Sequence, residues 1–379
     1  MAQFGLIENS EIVEREKGVD REVEKVGLEF VWLEVTDKCN ELCLHCYGSF
    51  SPASLVESEH SLSHLQWKSL IEQIFLLGCR RIQFIGGEPL MYRGADSAEN
   101  VFDLIDYART LGFEAIELFT NATMLTDKAV RKIKDLSVAV AVSLYSSVPE
   151  IHDRVTQIPG SHKLTMRAIY KLLESNVPLR VGLIVMRQNQ GTLDETMAVL
   201  NDLGIRFGSP DVLRPSGRGG NTDLMPDLAI LEKYGLVMSP NFRVSRERFE
   251  RNQYYHPCLA GKVAITTNGT VLPCIFARDQ KLGNIKNLSL SEITEGPETK
   301  QVWQITKDDV LVCQDCEYRY ACHDCRPLAS VCSGQSEFYE APSPRCTYNP
   351  YTSDWGRGVW RMENSEVIYK PLVKTGGGE

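Results

Sequence analysis

The residues with the clearest capacity for chemistry in this 379-residue chain are its 12 cysteines, and they are unevenly placed. Cys39, Cys43 and Cys46 follow one another at x3 and x2 spacing. Cys79 stands alone, and Cys258, Cys274, Cys313, Cys316, Cys322, Cys325, Cys332 and Cys346 lie in the last third. Three neighbouring thiolates can hold three corners of a metal centre. Completed by His45, such a site takes zinc; as a three-thiolate [4Fe–4S] cluster, it leaves one iron open for a small molecule. In Cys313-x2-Cys316-x5-Cys322-x2-Cys325 the two pairs are only five residues apart. A zinc ribbon needs roughly 15–20. Cys79 has no partner nearby and reads as a buried structural thiol.

The N-terminus is polar and acidic, without the positive and apolar regions of a secretory signal. A cytoplasmic location is expected. Reduced thiols in such a compartment bind metal more readily than they pair. No apolar run reaches about 18 residues, so no membrane span is expected. Lys and Arg total 41 against 50 Asp and Glu, a net charge of −9 that gives no support for nucleic-acid binding.

The elements that must position the first cysteines alternate between strand and helix. Residues Glu29–Thr36, Arg81–Ile85, Ala115–Thr120, Val138–Leu144, Leu179–Met186 and Ile205–Leu213 read as strands. Ser63–Leu77, Ala98–Gly112, Asp127–Lys134, Ser161–Ser175 and Thr192–Leu203 read as the helices between them. Six strands joined by crossover helices predict a parallel α/β array, an incomplete barrel with its chemistry at the strand C-termini. The first cysteines follow the first strand, and Gly86-Gly87 closes the second. Beyond Pro215 the periodicity weakens. Ser216–Asn221 reads as a flexible loop, Leu228–Val237 as a short helix, and Val263–Leu272 as a hairpin around Asn268-Gly269. Lys374–Glu379 reads as a frayed tail. The region after His256 has many cysteines and little apolar periodicity, so it is expected to need metal to fold.

CNELCLHCY, followed about forty residues later by FIGGEP after a short strand, resembles the radical S-adenosylmethionine (SAM) superfamily. The resemblance implies that Cys39, Cys43 and Cys46 hold a [4Fe–4S] cluster whose open iron chelates SAM. It implies that Gly86, Gly87 and Glu88 line the pocket for the methionyl amino group. A Gly-Gly pair permits close backbone approach, and a carboxylate offers acceptors for an ammonium. His45 matches a place where the family often has an aromatic near the adenine; a packing or solvent-facing histidine is the other reading. Ser143 matches a position that touches the ribose. Asn121 lies in a turn usually written TNG, with Ala122 here in place of the glycine. Thr156-Gln157 replaces an arginine-glycine pair of many relatives; Arg154 is the local substitute for that arginine, or a surface residue.

The C-terminal cysteines resemble the SPASM domain, the auxiliary-cluster extension of many radical SAM enzymes. CEYRYACHDC matches its CxYRxxCGGC form, with His323-Asp324 in place of two glycines. By that resemblance Cys313, Cys316, Cys322 and Cys346 hold an outer cluster, and Cys258, Cys274 and Cys325 an inner one. Cys332 is either the fourth inner ligand or a bystander. The expected fold is a partial (β/α)6 barrel of the radical SAM type followed by a small cysteine-rich SPASM domain. The expected segments are 1–28 as an N-terminal extension, 29–215 as the barrel, 216–255 as a bridge, 256–350 as the SPASM domain and 351–379 as a tail.

The resemblance implies reductive cleavage of SAM to a 5′-deoxyadenosyl radical, hydrogen abstraction from a substrate, and a flavodoxin- or ferredoxin-type electron donor. SPASM proteins most often crosslink or otherwise modify ribosomally made peptides, so a precursor peptide is the expected substrate. Only 38 residues precede Cys39, few for the winged helix that binds leader peptides in many maturases. A separate leader-binding protein, or another surface, is expected instead. The alternatives are oxidation of a protein side chain as in sulfatase maturation, modification of a tetrapyrrole or other small molecule, and a non-enzymatic iron–sulfur or zinc scaffold. Asp211, Arg214 and Arg218, at the mouth of the array, either grip the substrate or belong to a solvated loop.

Overall fold

The computed structural model describes residues 25–52, 61–94, 98–208, 210–235, 244–335 and 339–372. The expected N-terminal extension up to residue 24 and the tail Lys374–Glu379 lie outside the described residues. Among those described, the strands are β1 (Phe30–Thr36), β2 (Arg81–Gly86), β3 (Ala115–Thr120), β4 (Ala139–Ser143), β5 (Leu179–Gly182), β6 (Ile184–Val185), β7 (Arg206–Phe207), β8 (Asp211–Val212), β9 (Lys262–Ile265), β10 (Thr270–Leu272), β11 (Gly283–Asn284), β12 (Gly358–Glu363) and β13 (Glu366–Pro371). The main sheet runs β11-β10-β9-β1-β2-β3-β4-β5-β7. Its array from β1 to β7 is parallel, each strand joined to the next through helices, as the alternating pattern predicts.

The helices start where the sequence supplies caps. Ser63 accepts from Gln66 N and Gln66 reaches back to the Ser63 amide, opening the helix His64–Leu76; Asn100 and Asp103 do the same for Val101–Leu111. Gly112, at φ 102°, ends the second helix in the left-handed region. Each lays an apolar stripe on the sheet: Trp67, Leu70, Ile71 and Ile74 from one, Leu104, Ile105 and Ala108 from the other. Each such side chain contributes roughly 1.5–3 kcal/mol by leaving water, less for alanine. Among the described residues no helix is long and apolar enough to cross a membrane.

Three features differ from the reading of the sequence. First, the fifth and sixth strands are broken. Leu179–Met186 divides into β5 and β6, and Ile205–Leu213 into β7 and β8. The second halves leave the main sheet and pair with each other, Ile184 with Asp211 and Val185 with Val212. Pro210 precedes β8 and has no amide to continue a ladder. Second, a separate short helix, Pro149–Thr156, lies between β4 and the helix Ser161–Glu174; it ends inside the stretch His152–Ser161, which in the sequence resembles a helix start of the radical SAM family. Third, the segment expected as a C-terminal tail carries the antiparallel hairpin β12–β13. Trp360 Nε1 donates to Tyr348 O at 2.8 Å and Tyr369 OH to Thr347 O at 2.7 Å. The hairpin thereby clamps the two residues after Cys346.

The strand β1 is paired on both edges. One edge meets β2, with Val31 opposite Ile82; the other meets β9, with Phe30 opposite Lys262 and Leu33 opposite Ile265. The cysteine-rich half of the chain therefore enters the same sheet as the array. A buried ion pair crosses this junction. Glu34 of β1 is fully buried, and Arg278 Nη1 reaches its two oxygens at 2.7 and 2.8 Å. Burial pushes the Glu34 carboxyl up, and Arg278 draws it back. Breaking a buried pair from one side costs about 3–5 kcal/mol, and the partial exposure of Arg278 lowers that figure. Glu34→Ala is accordingly expected to reduce the unfolding free energy by about 2–3 kcal/mol. Urea denaturation of Glu34→Ala, Arg278→Ala and the double variant checks it. Losses that simply add would refute the coupling between the two halves.

Candidate active site

The loop from Cys39 to Cys46 leaves the C-terminal end of β1 and is fastened from three sides. Leu42 N and Leu44 N donate to Thr156 O and Val155 O at 3.0 and 2.9 Å, so the helix Pro149–Thr156 holds its outer edge. Cys39 N donates to Ser51 O at 3.3 Å. The segment Ser216–Asn221 closes over the remainder. Arg218 donates through Nε to Cys43 O and through Nη2 to Phe50 O, both at 2.8 Å, and its own amide donates to Cys46 O at 3.0 Å. Gly217, at φ +55°, would place a Cβ 2.6 Å from Cys46 O. This segment reads as flexible in the sequence but forms a 3₁₀ turn pressed onto the cysteine loop. Arg218 holds that loop and lies outside the cavity lining described below.

The Gly-Gly turn after β2 approaches the same loop. Gly87 N donates to Thr36 O and Glu88 N to Lys38 O, both at 2.7 Å. A Cβ on Gly86 would lie 2.5 Å from Thr36 O, and one on Gly87 2.2 Å from Lys38 O, so only glycine fits. Both glycines line the cavity. Glu88 does not; it is buried behind the turn. Its carboxylate accepts from Leu90 N at 3.0 Å, Thr120 Oγ1 at 2.7 and 2.8 Å, and Asn121 N at 2.9 Å. Burial pushes the carboxyl up, and these bonds oppose the push. The geometry ties the ends of β2 and β3 together through Glu88.

Between these elements lies a cavity of about 230 Å³. Cys39, Cys43, His45 and Cys46 line it, together with Gly86, Gly87, Asn121 and Ser143. Asn121 donates to Asn40 Oδ1 at 2.9 Å and lies 4.0 Å from Cys39 Sγ. Ala122 adopts the left-handed φ of 65° that the usual glycine would take. His45 is packed edge-on against Tyr145 at 4.7 Å, and its buried Nδ1 has no partner. Burial pushes its pKa down to about 4, helped by Arg218, so the imidazole is neutral. Arg154 is exposed and lies outside the cavity lining.

Several lining residues were not singled out by the sequence reading. Glu41, 2% exposed, accepts from Ser161 Oγ and lies 3.4 Å from Cys43 Sγ. Burial pushes its pKa up to about 7. Tyr145 OH lies 4.0 Å from Cys43 Sγ. Their only signals were a carboxylate inside the cysteine motif and a tyrosine two residues beyond the strand-end serine. The β6–β8 ladder brings Ile184, Asp211 and Val212 to the far wall. Arg214 pairs with Asp211 at 2.7 Å and lies over the Phe276 ring at 5.4 Å. Ile275 and Phe276, directly after Cys274, complete the wall.

The remaining thiols separate into two neighbourhoods. Burial pushes the Cys274 thiol up to about 12, with Cys325 and Cys258 adding repulsion. Arg214 eases the burial of Cys325. Cys313, Cys316, Cys322 and Cys346 form the other set; burial and repulsion from neighbouring thiols raise Cys316, Cys322 and Cys346, and Lys307 opposes the rise. Cys332 belongs to neither. It borders a separate cavity of about 310 Å³ with Leu328, Val359 and Arg361, and Arg361 is the charge that acts on it. Cys79 is buried and donates to Arg81 O at 3.3 Å, as a structural thiol does. Among the described residues no three His, Cys, Asp or Glu side chains converge on a point as one metal ion needs. Cys39, Cys43 and Cys46 instead line one cavity together. Ten of the thiols in groups of three, three and four fit iron–sulfur clusters, whose thiolates sit on separate irons.

Residues 33–200 match the radical SAM superfamily, and residues 257–326 match the SPASM iron–sulfur cluster-binding domain. The subtilosin biosynthesis protein AlbA of Bacillus subtilis is 26% identical over 72% of this chain, and that match spans 60% of AlbA. The mycofactocin maturase MftC of Mycolicibacterium smegmatis is 26% identical, over 89% of this chain and 86% of its own. Among solved structures, Streptococcus suis SuiB bound to S-adenosylmethionine superposes with a TM-score of 0.62 at 17% identity, covering 84% of this chain and 76% of SuiB. The chain carries a radical SAM domain followed by a SPASM domain, and these imply [4Fe–4S] clusters and SAM as cofactors.

Glu88→Gln separates two roles for this carboxylate. The amide would set a donor against the Leu90 or Asn121 amide, and the expected loss is about 1–3 kcal/mol of stability in urea denaturation. Weakened SAM binding with an unchanged denaturation midpoint would instead make Glu88 a ligand contact.

Proposed function

We propose that this chain, with its radical SAM and SPASM domains, is an enzyme that cleaves SAM reductively and removes hydrogen from a ribosomally made peptide. Cys39, Cys43 and Cys46 are the ligands of the SAM-binding cluster. Cys258, Cys274 and Cys325 serve an inner auxiliary cluster, and Cys313, Cys316, Cys322 and Cys346 an outer one. One observation carries the reading: the cavity at the first three thiols is walled on its far side by Ile275 and Phe276, which directly follow Cys274. A substrate in that cavity lies between the first cysteines and the inner set. The names of AlbA and MftC, a bacteriocin biosynthesis protein and a maturase, support a peptide as substrate.

When bound, the first cluster and SAM supply a carbon-centred hydrogen acceptor, and the auxiliary clusters supply acceptors for an electron. The chain's own residues position and exclude. Gly86 and Gly87 bring backbone to the methionyl end of SAM. His45, neutral and edge-on to Tyr145, and Ser143 would border the adenosyl part. Arg214 is held by Asp211, and its buried Nε has no partner, so it is the donor available to a peptide carbonyl. Phe50, Ile85, Phe119, Ile184 and Phe276 supply apolar walls that keep water from the reacting carbon. A flavodoxin- or ferredoxin-type partner supplies the electron, and a separate protein presents the leader.

Anaerobic reconstitution is expected to give about 12 Fe per chain, against about 4 for the first site alone. Replacing Cys39, Cys43 and Cys46 by Ala should remove a third of that iron and all formation of 5′-deoxyadenosine. Stoichiometric zinc in place of iron would overturn the reading. With SAM, a reductant and a precursor peptide encoded beside this gene, mass spectrometry should show loss of two hydrogens from the peptide. An unchanged peptide, with deoxyadenosine formation stimulated by a small molecule, would reject the peptide and keep the SAM cleavage.

A further inference from the structure

A buried group of charges lies beside the outer cysteine set and takes no part in the proposed reaction. Asp324 stands between Cys322 and Cys325, at one of the two positions where the resembling motif has glycine. Its side chain is fully buried and is contacted by Lys307 Nζ at 2.6 Å, by Arg326 Nε at 3.0 Å and by Arg326 Nη2. Lys307 is 4% exposed and Arg326 0%. Arg326 Nη1 also donates to Tyr339 O at 2.7 Å and Ala341 O at 2.6 Å. The fourth member is His256, with Nε2 3.8 Å from Asp324. Its Nδ1 accepts from Cys258 N and Leu259 N, and burial with the neighbouring cations keeps the ring neutral.

Two buried cations thus share one buried anion. Glu340 also faces Arg326, but from an exposed position where water screens it. An excess positive charge sealed from water is costly without an anion nearby. The outer thiols are that anion once ionised: Cys313, Cys322 and Cys346 face Lys307, and Cys313 and Cys322 face Arg326. The inner set has its own charges, Arg214 and Arg345 with Asp211, around Cys325.

We propose that Lys307 and Arg326 raise the reduction potential of the outer cluster, and that Asp324 both anchors them and limits their effect. The proposal rests on the reading that the four outer cysteines hold a cluster. A fixed positive charge in a low-dielectric interior favours the reduced, more negative state of a neighbouring cluster, and net charge is among the main determinants of such potentials. Asp324 contributes the opposite sign from the same place. The three side chains therefore form a charge series: neutralising Asp324 raises the local charge, and neutralising Lys307 lowers it.

The test is an EPR-monitored redox titration of the reconstituted full chain. One auxiliary potential is expected to rise in Asp324→Asn, fall in Lys307→Met and stay in place in Lys307→Arg, while the other cluster potentials do not move. Unshifted potentials in Asp324→Asn and Lys307→Met, with the outer site loaded, would overturn the proposal. Where Lys307→Met fails to load iron, Asp324→Asn and Lys307→Arg decide: a rise in the first and none in the second support it, and any other pair of results overturns it. Iron content distinguishes the underlying reading, because unchanged iron in the variant with Cys313, Cys316, Cys322 and Cys346 all replaced by Ala would mean that the outer cysteines hold no cluster, and the proposal would fall with it.

Discussion

Everything in this molecule depends on β1 having both edges paired. A strand at the edge of an incomplete barrel exposes unpaired amides and carbonyls. Here β9 covers that edge, from a part of the chain more than two hundred residues away. Backbone pairing sets the register, so Cys274 and the wall residues that follow it face the loop that leaves the end of β1. Glu34 and Arg278 reinforce the junction with a charge pair whose carboxylate is fully buried. Arg278 also lies over Tyr47 and Phe50, at 5.7 and 6.0 Å from the ring centres, next to the last cysteine of the loop. One constraint on a strand thus places two sets of thiols across one cavity.

Polar side chains around the cavity are largely committed to the scaffold. Glu88 binds three elements together, Arg218 holds carbonyls of the cysteine loop, and Asn121 is engaged with Asn40 and Thr123. Satisfying these groups internally is what permits their burial. The same burial works against the ligands themselves. Cys39 and Cys346 are pushed up to about 12, so neither thiol ionises without a cation to compensate it. Metal binding supplies that compensation and releases the protons, which couples assembly of the sites to folding. The C-terminal region depends on it most, having short helices and few long strands.

The fold and the cysteine groups were legible in the sequence for different reasons. Short apolar runs located the first four strands, two of which, β2 and β4, are buried almost throughout, and the 3.6-residue period located the longer helices, each of which has one face on the core. The break at Pro210 was visible as a residue, but the separate β6–β8 ladder it allows depends on tertiary pairing. The cysteine spacing sorted the thiols, whereas the position of Cys332 depends on where the helix Arg326–Cys332 points. Sequence also suggested Glu88 as a ligand contact from its place in the motif. The direction of that carboxylate is set by Thr120 and Asn121, which are thirty residues away and invisible to a local reading. Arg218 shows the reverse case: a glycine-rich stretch reads as flexible, yet Gly217 and Gly219 are small because backbone atoms lie against them.

The commitment of polar groups to the scaffold has a consequence for chemistry. A site that must protect a reactive carbon-centred species needs walls without exchangeable or easily oxidised hydrogens close by, and it needs few waters. Phe50, Ile85, Phe119, Ile184, Val212, Ile275 and Phe276 give this cavity apolar walls of that kind. The polar exceptions are distributed by function. Those near the first thiols, His45 and Glu41, are buried within the motif itself, and the Arg214–Asp211 pair lies on the opposite side beside Cys274 and Cys325. In the proposed reading, an extended substrate entering between them would meet its hydrogen-bond donor on the auxiliary side and its reacting partner on the SAM side. Orientation across the cavity is therefore set by which wall carries the guanidinium, and that wall exists because β6 and β8 left the main sheet to pair with each other.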